Sequence, residues 1–398
     1  MPTEIAWSDA NARRLARNGL TEPAPAQNVS PADVAADILG AHAQVMSAGE
    51  VSLAMRIDGA TRTDVQDALW NAHTLVKTHG PRGTVHLLAT RDLPMWTGAL
   101  SGIPRRAGAP TKGKDGRPVL TPEQESEVVE GIGKALAEDE LTVDELTEAL
   151  AGIVGSWAAD PVMDAFQTHW PRWRAATHVA AHTGALCFGH NRGRKVTYTN
   201  PHRWLPGFRP LPAEEAHAAL VTRYLRAYGP AAPAHFAKWL AAPAGWATEL
   251  FAALEGGGAL ERVTLEGADA WRVTGDDGRE EGTAPPAPRV RLLPYFDAFG
   301  IASHPRPLLF PGRAYERALA GGQAGNYPLL LLDGVVGGVW HQRRSGRRIQ
   351  VTVEPLDTLK PLDAEQHAAL EAEVARLGRI LDGRPELTVG TVTVGAHA

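Results

Sequence analysis

One order of elements recurs three times along this 398-residue chain: helix signals, then two short strand-like runs closed on a turn. In the first instance, Leu75-Val76-Lys77-Thr78 and Thr84-Val85-His86-Leu87-Leu88 flank the turn Gly80-Pro81-Arg82-Gly83. Helices are expected ahead of it over 11–20, from the cap Ser30-Pro31-Ala32-Asp33, and from Thr63 to Trp70. In the second, Thr121-Pro122-Glu123-Gln124 starts one helix and Thr142-Val143-Asp144-Glu145 caps another. A third helix carries Thr177, His178 and His182, and the runs 186–189 and 196–199 enclose the turn 190–195. The last instance has helices near 213–228, 233–240 and 245–254, then runs over 259–264 and 270–274.

Helices closed by a two-stranded hairpin predict a winged helix, so the expected class is α+β, with tandem winged-helix units. Beyond residue 288 the chain is mostly strand and turn, with one helix over 363–381 and a final strand over 387–394. That pattern predicts a C-terminal β-rich, barrel-like domain. Segments rich in Pro and Gly at 108–118 and 283–288 place the expected units at 1–117, 118–211, 212–284 and 289–398.

No run of about 18 apolar residues occurs, and the N-terminus has neither a basic region nor an apolar core, so no membrane span and no export are expected. The single Cys187 leaves no intramolecular disulfide and no site built on several cysteines, as expected in a reducing cytoplasm. The formal net charge of −5 argues against a nucleic-acid partner when taken alone, but its distribution does not. Between Asp164 and Glu214 there is no acid, yet Arg172, Arg174, Arg192, Arg194, Lys195, Arg203 and Arg209 occur. A second acid-free stretch, Asp333 to Glu354, holds Arg343, Arg344, Arg347 and Arg348. Phosphate binding needs a local field rather than a global one.

His42-Ala43-Gln44 stands where the Ser30-capped helix runs out, with Val34, Ile38, Leu39 and His42 at helical spacing. If the backbone there is extended or turning, positions 42 and 44 point to one side and hold a water between them. His178 and His182 have metal-ligand spacing, but without the Glu of an H-E-x-x-H motif they read as structural or phosphate-facing. Gly256-Gly257-Gly258 lacks a following Lys-Ser/Thr and reads as a turn, not a phosphate loop.

Four strings in order along the chain carry a resemblance: Arg82-Gly83-Thr84-Val85-His86-Leu87, Tyr224-Leu225-Arg226-Ala227-Tyr228-Gly229-Pro230-Ala231, Leu292-Leu293-Pro294-Tyr295-Phe296-Asp297 and Asp333-Gly334-Val335-Val336-Gly337-Gly338-Val339-Trp340. Together they resemble the winged-helix DNA glycosylases typified by AlkZ and YcaQ. The resemblance implies a concave channel for duplex DNA and hydrolysis of the glycosidic bond of N7-alkylated purines, including bulky adducts and crosslinks made by antibiotics, in repair and self-resistance. It implies a catalytic motif of Gln, a hydrophobic residue, then Gln or Asp, where His42-Ala43-Gln44 stands; His42 departs from the usual Gln. An N7-alkylguanine is already cationic and leaves without protonation, so neutral His42 and Gln44 need only place a water and stabilise an oxocarbenium-like sugar.

The expected partner is therefore double-stranded DNA carrying alkylated bases, met by a monomer without cofactor or metal. Candidate DNA contacts are Arg82 and Thr84 in the first hairpin, Arg192, Arg194 and Lys195 in the second, and Arg343 and Arg344 near the end of the chain. Arg82 either touches a phosphate or braces its hairpin. Two other classes stay open: a non-catalytic winged-helix DNA-binding regulator, in which His42 and Gln44 only pack, and a metal-dependent hydrolase drawing on the 15 His residues.

Overall fold

The computed structural model describes residues 2–104, 111, 118–165, 168–277, 288–319, 322–357 and 361–395. Most of the 108–118 segment and the 283–287 stretch, expected as linkers, lie outside the described residues. Within them the class is α+β, and one order of elements repeats three times: helix, short strand or bridge, helix, helix, hairpin.

In the first repeat these are Pro31–Asp37, Ala41–His42, Met46–Ala54, Arg62–Trp70 and the pair Leu75–His79 with Val85–Ala89. The Ser30 hydroxyl accepts the Asp33 amide and the Asp33 carboxylate accepts the Ser30 amide, a local exchange that fixes where the first helix begins. The second repeat runs Pro122–Ala135, Leu141–Thr142, Val143–Ile153, Thr177–His182, then Cys187–Phe188 against Thr197–Thr199. Thr121 and Thr142 open its helices by the same reciprocal cap. A hairpin of Pro161–Ala165 and Thr168–Pro171, without a counterpart in the sequence reading, is inserted before its third helix.

The third repeat has helices Ala213–Tyr228, Pro233–Leu240 and Ala244–Gly256 and the hairpin Leu260–Leu265 with Ala268–Val273. Its outer edge is covered by Thr3–Ile5, which pairs in parallel with Val263–Leu265, so the start of the chain is built into a hairpin 260 residues away. The helix after the first hairpin, Leu93–Ser101, packs on Ala213–Tyr228 so closely that a Cβ on Gly98 would lie 2.3 Å from the Leu211 carbonyl oxygen.

The C-terminal region is a five-stranded sheet in the order Val290–Leu293, Leu329–Leu332, Val335–Ser345, Arg348–Pro355, Arg384–Val389. This corrects the barrel-like expectation. The last strand returns parallel to Arg348–Pro355 after a crossover through the helix Ala364–Ile380, which lays Leu370, Val374 and Leu377 on the sheet. Among the described residues the first and last strands do not pair, and the sheet stays open. The final strand also begins earlier than expected, at Arg384.

One core runs through the first repeat, the third and the C-terminal sheet, whereas the second repeat has its own, around Val128, Ile132, Leu146, Leu150 and Trp173. Two buried arginines stitch the shared core together. Arg14 donates to the carbonyls of Gly229, Pro230 and His304. Arg56 forms a bidentate ion pair with Asp297, both contacts at 2.9 Å, with the side chains 1% and 0% exposed. Among the described residues no helix is long and apolar enough to cross a membrane.

Candidate active site

His42 does not extend the face of the preceding helix, as its spacing predicts. That helix ends at Asp37, and Leu39 and Gly40 both take left-handed backbone, with φ of +58° and +93°. The turn carries Ala41 and His42 into a two-residue strand against Val85–Ala89, where His42 faces His86 and the Ala43 amide donates to the Val85 carbonyl at 2.8 Å. A glycine is required at 40: a Cβ there would meet Leu88 Cδ2 at 2.5 Å.

The strand ends at His42, and the chain bends at Gln44 and Val45 before the next helix. Ala43 is buried in the shared core, while His42 and Gln44 both line a cleft of about 750 Å3. His42 sits at the buried back of it, its ring 4.4 Å from the Phe296 ring and 5.1 Å, edge-on, from that of His86. Gln44 is exposed at the front.

The first hairpin supplies the side wall. Arg82 and Gly83, at its tip, both take left-handed backbone, and the Arg82 guanidinium reaches the Trp239 carbonyl at 2.6 Å. Arg82 thus braces its hairpin on the third repeat and also lines the cleft, as does Thr84, whose hydroxyl donates to the Pro81 carbonyl. The far wall comes from Lys238 and Trp239 and from Phe296, Ile301, His304 and Arg306, none of which the sequence marked as site residues. Phe296 was within reach, since it lies in one of the four quoted strings; Lys238 and Arg306 carry no local signal.

Burial first, then the Arg82 charge, pushes His86 well below the ordinary histidine range, so it stays neutral. His304 is pushed down to about 2 by burial and then by Arg306. Burial lowers Arg82 and Arg306 to about 10, which leaves both charged at neutral pH. The cleft therefore combines the cations Arg82, Lys238 and Arg306 with a neutral His304, and among the described residues no carboxylate lines it. Such a lining attracts phosphates and has no place for a two-carboxylate glycosidase mechanism.

The family model described as DNA glycosylase AlkZ-like matches residues 35–380. This chain belongs to the AlkZ-like DNA glycosylases. It is 28% identical over 388 residues to an interstrand DNA cross-link repair glycosylase of Streptomyces sahachiroi, a match covering 95% of this chain and 98% of that one. The solved structure of Streptomyces sahachiroi DNA glycosylase AlkZ resembles it with a TM-score of 0.78 at 25% identity, over 98% of this chain and 100% of the other. As a member of the AlkZ-like family the chain is a DNA glycosylase, a hydrolase of N-glycosyl bonds.

The other candidate residues of this AlkZ-like chain lie apart from the cleft. Arg192 pairs with Glu145 at 3.0 Å and reaches the Glu140 carbonyl, and Lys195 pairs with Asp144 at 2.9 Å. The stretch without acids along the sequence is thus supplied with them in space, from the start of helix Val143–Ile153. Arg194, between them, is exposed at the hairpin tip. Arg343 is exposed near the end of the Val335–Ser345 strand, and Arg344 donates to the carbonyls of Gly346 and Leu381 at 2.9 and 2.8 Å. The rings of His178 and His182 meet edge-on at 6.0 Å, and among the described residues no group of three His, Cys, Asp or Glu is placed to hold a metal.

Proposed function

We propose that this glycosylase hydrolyses the N-glycosidic bond of N7-alkylated purines in duplex DNA, bulky adducts included, with His42 and Gln44 holding the attacking water. The observation that carries the reading is that those two side chains line one cleft with cations and, among the described residues, no carboxylate. Alkylation at N7 gives the base a positive charge, so it departs without a general acid. Water must then be oriented toward C1′ and a cationic sugar tolerated in the transition state. Gln44 accepts a hydrogen bond from the water through its amide oxygen, and neutral His42 accepts a second. Arg82, Lys238 and Arg306 hold the phosphates on either side of the lesion, and those phosphates, brought close to the sugar, offset its positive charge.

In the same reading the three repeats are winged helices, the units divide at 1–117, 118–211, 212–284 and 289–398, and the enzyme works as a monomer. Arg192, Arg194, Lys195, Arg343 and Arg344 extend the contact along the duplex outside the cleft. The curated relative is named for interstrand cross-link repair, and the size of the cleft suits such a substrate better than a methyl group.

The test is release of 7-methylguanine and of larger N7 adducts from alkylated duplex, with abasic sites revealed by alkali. Gln44→Ala should lower the single-turnover rate at least about 100-fold while binding persists, the loss typical of removing one oriented polar group at a reacting centre. His42→Gln, which restores the residue usual at that position in the resembling family, should stay active and flatten the rate between about pH 5 and 8, where histidine titrates. Full activity in Gln44→Ala would remove Gln44 from the hydrolytic site, and tight binding without release by the unaltered protein would leave a DNA-binding role instead.

A further inference from the structure

A second cavity, about 740 Å3, lies on the other side of the first hairpin, between that hairpin and the second repeat. Most of its exposed lining is apolar, from Val85, Met163, Trp170, Phe188 and Val196, while Arg174, Lys195 and Asp144 put charges at its walls. The two cavities are neighbours through the chain's own geometry. Thr84 lines the cleft and Val85 the second cavity, as alternate residues of a strand must, and Arg82 at the hairpin tip lines both. The tip is open, since a Cβ on Gly83 would meet nothing within 4 Å.

Trp170 sets the character of the cavity. It lies on the inserted hairpin and is 41% exposed, among the few large apolar side chains left in solvent. Its ring is held flat by the Arg174 guanidinium, 4.2 Å from the ring centroid. Phe188 also lines it, with Lys77 Nζ 4.8 Å from its ring centroid. An exposed aromatic fixed by a cation, inside a cavity in the size range of drug-like sites (roughly 300–1,000 Å3), is a stacking platform and not part of a core. A methyl lesion has no use for such a space.

We propose that this cavity is a lesion subsite, which takes a flat, apolar polycyclic group carried on N7 of the purine whose sugar faces His42 and Gln44. The proposal rests on the reading above, that the cleft serves N7-alkylated purines. The adduct crosses the hairpin tip beside Gly83 and stacks on Trp170, so the first hairpin divides one bound lesion between two compartments: base and sugar in the cleft, appended ring system beyond it. Arg82, shared by both, stands at the crossing.

The experiment uses full-length protein and three duplexes of one sequence: unmodified, methylated at a single guanine N7, and alkylated there by a pyrene-bearing monofunctional nitrogen mustard. Binding is measured for each, and base release for the two lesions. The expected result is that Trp170→Ala reduces the preference for the pyrene duplex over the methylated one about tenfold, the loss of one stacked aromatic contact. Trp170→Phe should keep most of the preference. An equal loss on all three duplexes would make Trp170 a general DNA contact, and no loss on any would make the cavity a bystander; either overturns the proposal. Because the preference is read from binding, it is decided even if no base is released, an outcome that would instead count against His42 and Gln44 as the hydrolytic site.

Discussion

Replacing Asp297 by asparagine isolates the contact that ties the cleft to the rest of the molecule. In the native protein Asp297 Oδ2 accepts from Arg56 at 2.9 Å and from the Ser52 hydroxyl at 2.7 Å, while Oδ1 accepts from Arg56 at 2.9 Å and from the Phe299 amide at 3.1 Å. Asparagine retains one accepting oxygen and turns an NH2 group toward donors. The guanidinium, 1% exposed, is then a buried charge without its counter-ion. Removing one partner of such a pair costs about 3–5 kcal/mol, roughly a fifth or more of the stability of an ordinary domain. Urea unfolding should therefore show the Asp297→Asn midpoint well below that of the unaltered protein. The double variant Arg56→Met, Asp297→Asn should regain most of the loss, because no charge is then left buried, giving a coupling energy of about 2 kcal/mol or more. The effect reaches the site through one bond of chain: Phe296, whose ring lies against His42, precedes Asp297 and takes left-handed backbone itself. Base release by the folded Asp297→Asn protein should fall as well. A loss under about 1 kcal/mol, or no recovery in the double variant, would refute the argument that this pair is a buried charge couple holding the cleft wall.

Two further outcomes concern other pairs. Asp144→Asn frees Lys195 and should steepen the dependence of log Kd on log salt by about 0.9, one more counter-ion released from duplex DNA, and an unchanged slope in a salt titration would remove the second hairpin from the interface. His235, stacked on His304 and accepting the Ala232 amide at Nδ1, is pushed down to about 4 chiefly by burial. The unfolded chain then binds the proton more readily, so the stability due to this residue is complete above about pH 6.5 and declines as the pH falls toward 4. His235→Gln keeps an acceptor for the cap but removes the titration, and should reduce the stability lost between pH 7 and 5 by up to about 2 kcal/mol in paired urea titrations.

What the sequence made legible was local. The caps at Ser30, Thr121 and Thr142 formed as expected because each is an exchange between residues three apart. The shared cleft of His42 and Gln44 was within reach of two positions two apart in an extended or turning chain, needing no knowledge of the fold. The helical placing of His42 failed because Leu39, a residue with no preference for it, takes left-handed backbone, a choice imposed by the strand it must enter. The reading of Arg192 and Lys195 as an unbalanced basic tip failed to foresee partners 47 and 51 residues earlier in the chain. The barrel-like expectation saw a strand-rich region, but strand content says nothing about whether the last strand returns antiparallel or, after a helix, parallel. The far wall of the cleft is the extreme case: Lys238 and Arg306 meet His42 only through the shared core.

That shared core imposes an order on synthesis. Arg14 waits for the carbonyls of Gly229 and His304, and Arg56 waits for Asp297. The side chains proposed to hold the water lie at 42 and 44, whereas the far wall that encloses them comes from residues 238–306, made some two hundred residues later. A chain cut before residue 306 therefore carries His42 and Gln44 without the complete far wall of their cleft.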